Sequence, residues 1–257
     1  GQGGIVIRES GVILIQGGTV NARMIRTSVT AATHRGTYIQ TGGTVTLTGD
    51  NGGEQGYYAV FSLPYNENVF KMSGGILNIT RANTVGSFCP NGGIMIGSLP
   101  QNIDVTGGTV NINTTGNIGF DISSRAPFWD LNIGKATSGT GAVRIAPITW
   151  TYSGNAANQV TLPAYPLTVL SNLNIVTASF SGSLNANGND VICSGNFNIQ
   201  TGGTYTSGTN TTMFNGTSNQ TFTVSGSIGS GIHNMSVDKS GTTLTVAGTA
   251  STIPANG

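Results

Sequence analysis

The feature that most constrains the fold of this chain is a Gly-Gly pair that recurs before short apolar or β-branched runs. The clearest copies begin at Gly17, Gly42, Gly74, Gly107 and Gly202, and weaker copies begin at Gly3 and Gly92. Glycine reaches positive φ at little steric cost, so each pair can form a sharp corner between two strands. The recurrence predicts a chain built by stacking similar units rather than by folding around one globular core.

Short segments in which apolar and polar residues alternate predict strands along most of the chain, for example at 44–48, 110–113 and 221–224. Capped amphipathic helices are not indicated in any window. Successive Gly-Gly pairs from Gly17 to Gly107 are 25, 32 and 33 residues apart. One turn of a solenoid takes roughly 20 to 30 residues, so each step fits one rung with a loop of variable length.

These patterns predict an all-β fold, a right-handed parallel β-helix (β-solenoid), as a single elongated domain over residues 1–257. Two loop excursions are predicted near 50–70 and 147–166, where prolines and aromatic residues interrupt the pattern. A second repeat aligns 128–135 with 232–239 at an offset of 104 residues, which suggests a duplicated block of rungs. The two ends carry no helix or charged strand that would cap a terminal rung, so we expect a segment of a longer chain.

Composition narrows the classes of partner. Charged residues make up 7% of the chain and the net charge is +1, so no basic field attracts nucleic acid. No apolar run is long enough for a membrane span. The low charge leaves Thr, Ser, Asn and Gln to solvate the surface, which favours an extracellular protein. Cys89 and Cys193 are expected to be two separate buried thiols, because free cysteine behaves as a small apolar residue.

One local pattern suggests a cation site. Asp50 and Glu54 flank an Asn-Gly-Gly segment, and oxygen ligands on flexible backbone suit Ca²⁺. The spacing is not that of an EF-hand loop, and a plain surface turn is the favoured alternative. His34 and His233 have no partner at metal-ligand spacing. Apart from this possible Ca²⁺, no cofactor is predicted.

Aromatic residues cluster in the two excursions, and Tyr57, Tyr58, Trp150 and Tyr152 are candidate ligand contacts. Exposed aromatic rings can stack on sugars or anchor a partner. The alternative is that these rings fill the interior or cover one end of the coil. Outward asparagines such as Asn111, Asn132, Asn174 and Asn198 are expected to stack from rung to rung, which would be a structural role.

The nine carboxylates are scattered along the sequence, and no residue cluster indicates a reaction, so we predict that the chain is not an enzyme. A polysaccharide-active β-helix enzyme, a lyase or glycoside hydrolase, remains the alternative. It would require a groove that gathers several of these carboxylates. Ice binding is a third hypothesis, suggested by Thr-x-Thr at Thr44, Thr221 and Thr243. We expect it to fail, since the pairs lie far apart in sequence.

Residues 214–226 and 232–241, together with 126–133, resemble repeats in very large secreted surface proteins of Bacteroidota-type bacteria. The resemblance implies a right-handed parallel β-helix, an adhesin-like role, and export by the type IX secretion machinery. We therefore expect a structural and adhesive segment of a secreted cell-surface protein, a stalk or display scaffold. Its expected partners are a glycan or surface ligand and the secretion machinery, and its expected location is extracellular.

Overall fold

The computed structural model describes residues 3–28, 35–49, 59–83, 91–151, 159–176 and 180–249. Within those ranges the chain forms 26 strands, one 3₁₀ turn at Pro100–Asn102 and no α-helix. Three stacks of parallel strands give a parallel β-solenoid, which confirms the predicted fold class. None of the described residues lies in a helix long and apolar enough to cross a membrane.

The nine-stranded sheet defines the first face of the solenoid. Its strands, in stacking order, are β1 (Ile5–Ile7), β4 (Ile25–Thr27), β7 (Phe61–Leu63), β9 (Gly92–Ile96), β11 (Phe120–Ser124), β13 (Val143–Ile145), β18 (Ser183–Asn185), β21 (Thr204–Thr206) and β24 (Ser227–Ile228). Each successive strand belongs to the next turn of the chain, so the described residues contain nine rungs. At the usual strand spacing the stack is about 40 Å long.

The eleven-stranded sheet covers two faces in the early rungs. It contains β2 (Val12–Ile15), β3 (Thr19–Ala22), β5 (Thr37–Gln40), β6 (Thr44–Leu47), β8 (Val69–Ile79), β10 (Ile103–Thr114), β12 (Asp130–Lys135), β17 (Leu173–Ile175), β20 (Phe197–Ile199), β23 (Gln220–Val224) and β26 (Leu244–Gly248). Strands β2 and β5 and the first parts of β8 and β10 form the second face. Strands β3 and β6, the later parts of β8 and β10, and β12 to β26 of this sheet form the third face.

In the later rungs the second face continues as a separate sheet of four strands. These are β16 (Leu167–Val169), β19 (Val191–Cys193), β22 (Thr211–Phe214) and β25 (Asn234–Val237). A bridge between Phe128 and Val169 connects this sheet to the rung below it. Each late rung therefore visits the first, second and third faces in turn, as each early rung does.

Four of the predicted Gly-Gly corners lie at one edge, between the second and third faces of rungs one to four. Thr19, Thr44, Ile76 and Thr109, which follow the pairs, are in register, so each Gly-Gly step is one rung, as predicted. The second glycine of each pair has positive φ, +78° at Gly75. A Cβ on Gly75 would lie 2.5 Å from the Gly42 carbonyl oxygen, and the corners of rungs two to four all stack too closely for a side chain at the second glycine. The Gly202 pair lies at a different corner, between β20 and β21.

A single apolar core runs through the solenoid from Ile7 to Ile232. Its largest members are aromatic rings that contact one another. The ring centroids of Tyr38 and Phe61 lie 5.0 Å apart in an edge-to-face arrangement, and those of Phe197 and Phe222 lie 5.1 Å apart with the rings stacked. Burial of each such side chain stabilises the fold by about 1.5–3 kcal/mol. Because equivalent residues of successive rungs contact one another, this stabilisation is distributed along the whole stack.

The second predicted excursion is an antiparallel hairpin, β14 (Ile148–Thr151) and β15 (Gln159–Leu162). It packs on the outer side of the first face, where Ile148 and Leu162 join Met24, Tyr65 and Met95 in a second apolar cluster. The described residues of the first predicted excursion, 50–70, include β7 and the start of β8, which are ordinary parts of the stack.

The proposed duplication with an offset of 104 residues is wrong. Strand β12 lies on the third face, whereas β25 lies on the second. The similarity therefore reflects the common requirements of short strands and does not mark equivalent positions in the stack.

Candidate functional site

Most of the predicted site residues lie outside the described residues. This holds for Asp50 and Glu54 of the possible Ca²⁺ loop and for Tyr57, Tyr58 and Tyr152 of the aromatic clusters. The backbone of Trp150 lies in β14, paired with Val160. These assignments stay predictions. Where the structure describes the chain, no three His, Cys, Asp or Glu side chains come together in a geometry that could hold a metal ion.

Other aromatic residues of the two clusters have structural surroundings. Phe61 and Phe70 are buried in the core, and Tyr65 is in the apolar cluster beneath the hairpin. Tyr165, at the base of the hairpin, is half-buried. The Arg125 Nε donates to its hydroxyl at 2.9 Å, and the guanidinium carbon lies 5.2 Å from its ring centroid.

The one buried carboxylate with a charged partner is Asp121 on β11, among the residues that the structure describes. Arg144 on β13 donates to both carboxylate oxygens, from Nε at 2.8 Å and from Nη2 at 2.9 Å. Burial raises the pKa of Asp121, and the hydrogen bond and charge of Arg144 oppose that shift. A shallow groove of about 280 Å³ borders Arg144 and is lined by Asn91, Asn117 and Thr140.

Asp130 and Asp190 act at the corners of the solenoid. The Asp130 Oδ1 accepts the backbone N–H of Asn172, and the Asp190 Oδ1 accepts that of Thr211, each at 2.9 Å. Asn117, Asn196 and Asn219 accept the backbone N–H of Thr140, Thr221 and Thr243 in the same way. These five bonds each link neighbouring rungs. In the sequence, the only signal for these bonds is an Asp or Asn that precedes a strand. The N–H that its side chain accepts could not be predicted, because the partner's position depends on the number of residues in the rung.

The third face carries the predicted asparagine ladder, which is confirmed and extends to five rungs. The side-chain amides of Asn111, Asn132, Asn174 and Asn198 each donate at 2.8 Å to the Oδ1 one rung below. Asn78 accepts the first of these bonds. The residues on either side in each strand are buried, so the ladder lies on the outer surface of the sheet, half-exposed.

Threonine and asparagine extend this surface over all nine rungs in two outward columns. The first column contains Thr19, Thr44, Ile76, Thr109, Asp130, Thr221 and Thr245. In rungs six and seven its position falls just before the strand, at Asn172 and Asn196, which hydrogen-bond to Asp130 and Thr221 of the neighbouring rungs. The second contains Asn21, Thr46, Asn78, Asn111, Asn132, Asn174, Asn198, Thr223 and Ala247.

The three Thr-x-Thr pairs do not stack on one another as pairs: Thr44 and Thr46 lie in rung two, six rungs from Thr221 and Thr223. Single threonines do meet, however. Thr221 and Thr245 are direct neighbours, because 24 residues are one full rung here. Thr44 likewise stacks on Thr19. Threonine therefore stacks directly on threonine only near the two ends of the first column, and mostly asparagine occupies the rungs between them.

Cys193 is a free thiol buried in the core on β19, as predicted, and burial raises its pKa to about 12. Cys89 and His34 lie outside the described residues. His233 is half-buried, and its backbone N–H approaches the Ser207 Oγ at 3.4 Å. Among the described residues no metal-ligand group forms around Cys193 or His233, and the raised pKa of the Cys193 thiol is the opposite of what a nucleophile requires.

Comparison of the chain with protein-family models, with curated proteins and with solved structures gives no match. The functional interpretation therefore depends on the geometry described above.

Proposed function

We propose that this chain is a structural and adhesive segment of a secreted cell-surface protein, a stalk or display scaffold for binding. The observation that carries the proposal is the continuity of the stack. One apolar core runs through it, and on its outer surface the asparagine side chains of neighbouring rungs are hydrogen-bonded to one another. Such an arrangement resists bending at any single rung, because each rung is fixed by both neighbours.

The surface suits the same role. With 7% charged residues, the chain presents hydroxyl and amide groups that can exchange hydrogen bonds with sugar hydroxyls. The hairpin β14–β15 packs on the outside of the stack, and Arg125 hydrogen-bonds Tyr165 at its base. A glycan or surface ligand, an extracellular location and export by a secretion machinery are all parts of this proposal.

The test is attachment of beads that carry the whole chain at matched density to glass coated with cell-wall polysaccharide or mucin. We expect retention under flow above that of albumin-coated beads. Substitution of Arg125 and Tyr165 by alanine should reduce retention if the base of the hairpin contributes. Retention equal to albumin on every surface would contradict the adhesive role. Release of reducing sugar from the same polysaccharides would favour the enzyme alternative instead.

A further inference from the structure

The two outward columns of the third face form a regular array whose period is set by the backbone. Adjacent rungs are about 4.8 Å apart because that is the spacing of hydrogen-bonded strands. Each rung adds one residue to each column, two positions apart in sequence and, outside rungs six and seven, on the same strand, such as Thr109 with Asn111 or Thr221 with Thr223. The array belongs to an eleven-stranded sheet, and the alternation of buried and outward residues continues through it.

The hydrogen bonds of the ladder leave part of each amide unused. A primary amide has two N–H donors and a carbonyl oxygen with two lone pairs. Asn111, Asn132 and Asn174 each use one donor and accept one bond within the ladder. In these three rungs one amide N–H and one oxygen lone pair remain for molecules above the surface, repeated at the pitch of the stack. Threonine hydroxyls in the flanking rungs also donate and accept.

The electrostatic character of the surface points to an uncharged ligand. Asp130 is the single charged residue in the two columns, and its Oδ1 already accepts from the backbone and side-chain nitrogens of Asn172 at 2.9 and 3.0 Å. Neither column contains an aromatic ring, so the surface lacks the flat groups that stack on sugar rings. A ligand for this face should therefore be neutral, periodic and composed of groups that both donate and accept hydrogen bonds.

We propose that the third face binds ice. Every water molecule in ice both donates and accepts hydrogen bonds. The repeat distance of water molecules along an ice surface is close to the spacing between rungs. Successive rungs can then meet equivalent lattice positions, with the threonine methyl groups and fixed amides ordering the first layer of water. The proposal stands on this array alone and does not depend on attachment to cells or on secretion.

The experiment uses the whole chain and ice itself as the probe. Thermal hysteresis and incorporation into a growing ice shell are measured for the wild type and for Thr109→Lys and Thr221→Lys. Both changes insert a long cation into the first column and leave the five ladder asparagines in place. Thr168→Lys is the matched control, because Thr168 lies between two buried residues on the second face. Circular dichroism and a thermal melt verify that each variant keeps the fold.

We expect measurable hysteresis and enrichment in ice for the wild type, with Thr168→Lys equal to it and loss of both signals in the third-face variants. Three outcomes would overturn the proposal: zero hysteresis with exclusion of the wild type from ice, equal loss in Thr168→Lys, or folded third-face variants that keep full activity. Third-face-dependent binding to a crystalline polysaccharide without hysteresis would also overturn it and assign the array to a different lattice.

Discussion

The early and late rungs make the corner between the second and third faces by different means. In rungs three and four, β8 and β10 run through the corner without interruption, because two glycines let the strand bend. In the late rungs the corner separates two strands, as β19 from β20, and side chains such as Asn196 and Gln220 hold it. A parallel β-solenoid can therefore turn this corner in two ways: with glycines, which have no side chain, or with polar side chains that hydrogen-bond to the backbone of the corner.

A buried glutamine appears in both solutions. Gln40 on β5 is fully buried, and its Nε2 donates to the carbonyl oxygens of Gly42, Gly43 and Ile76, while Tyr38 donates to its Oε1 at 2.7 Å. Gln220 on β23 accepts from Gly216 N–H at 2.9 Å and donates to the carbonyl oxygen of Cys193 at 3.0 Å. Corner carbonyls that face the interior must be paired, and an amide side chain does so in either half.

The largest expected effect that separates the two kinds of corner is that of Gly75→Ala. Its Cβ would lie 2.5 Å from the Gly42 carbonyl oxygen and 2.7 Å from the Gln40 Nε2, on a backbone with φ of +78°. We expect a loss of about 3 kcal/mol, since a left-handed alanine costs about 1–2 kcal/mol and overpacking adds about as much. Urea unfolding followed by circular dichroism measures the change in midpoint.

Gly18→Ala is the matched control for this prediction. Gly18 has a similar φ of +71°, but among the described residues no atom beyond its chain neighbours lies within 4 Å of its Cβ position. It should cost only the conformational strain, about 1 kcal/mol. Equal losses for the two variants would show that backbone strain alone, and not the stacking of rungs, makes these glycines necessary.

The next effect tests whether the buried glutamines are equivalent. Gln220→Leu keeps the side chain's volume but leaves the Cys193 carbonyl oxygen, the Gly216 N–H and the Lys239 Nζ without this partner. We expect a loss of about 2 kcal/mol, within the range for unpaired buried polar groups. Gln40→Leu should give a loss of similar size. A variant as stable as the wild type would show that water reaches that corner.

The sequence predicted the early corners better than the late ones for a physical reason. A glycine pair is visible as a motif because it solves the turn locally, at Gly42 as at Gly74. A corner held by Asn196 or Gln220 depends on which residue lies one rung away, and that distance varies with each loop. The ladder was predictable because it follows the alternation of the strands. The two-column array was missed since residues a full rung apart look distant in sequence.

Alkaline pH should destabilise both halves through one buried phenol in each. Burial raises the pKa of Tyr38 and of Tyr205, the latter despite opposing hydrogen bonds from Thr212 and Asn210. A group whose pKa is higher in the folded chain than in the unfolded chain makes its full contribution to stability at pH values below the unfolded pKa, which is about 10 for tyrosine. That contribution falls as the pH rises above this value. Stability should therefore decline above about pH 10.

Absorbance of the phenolate checks this prediction, since both tyrosines should stay protonated until the chain unfolds. Tyr38→Phe and Tyr205→Phe should each flatten the decline of stability with pH, whatever they cost at neutral pH. Phenolate signal from all seven tyrosines before unfolding would contradict the burial of these two side chains.

The smallest expected effect comes from removing one hydrogen bond between an asparagine side chain and a backbone N–H at a corner of the late rungs. The glycine corners of the early rungs are formed without such a bond. The Thr243 N–H donates to the exposed Asn219 Oδ1 at 3.0 Å, whereas the Thr221 N–H donates to the more buried Asn196 Oδ1 at 2.8 Å. Asn219→Ala should cost about 0.5 kcal/mol and Asn196→Ala about 1 kcal/mol, the usual range for one hydrogen bond. Amide hydrogen exchange resolves such small changes: each variant should speed exchange at its own partner, Thr243 or Thr221, and leave the other unchanged. Faster exchange throughout the stack would instead mean that the corner bonds act cooperatively and that the late rungs depend on them as strongly as the early rungs depend on glycine.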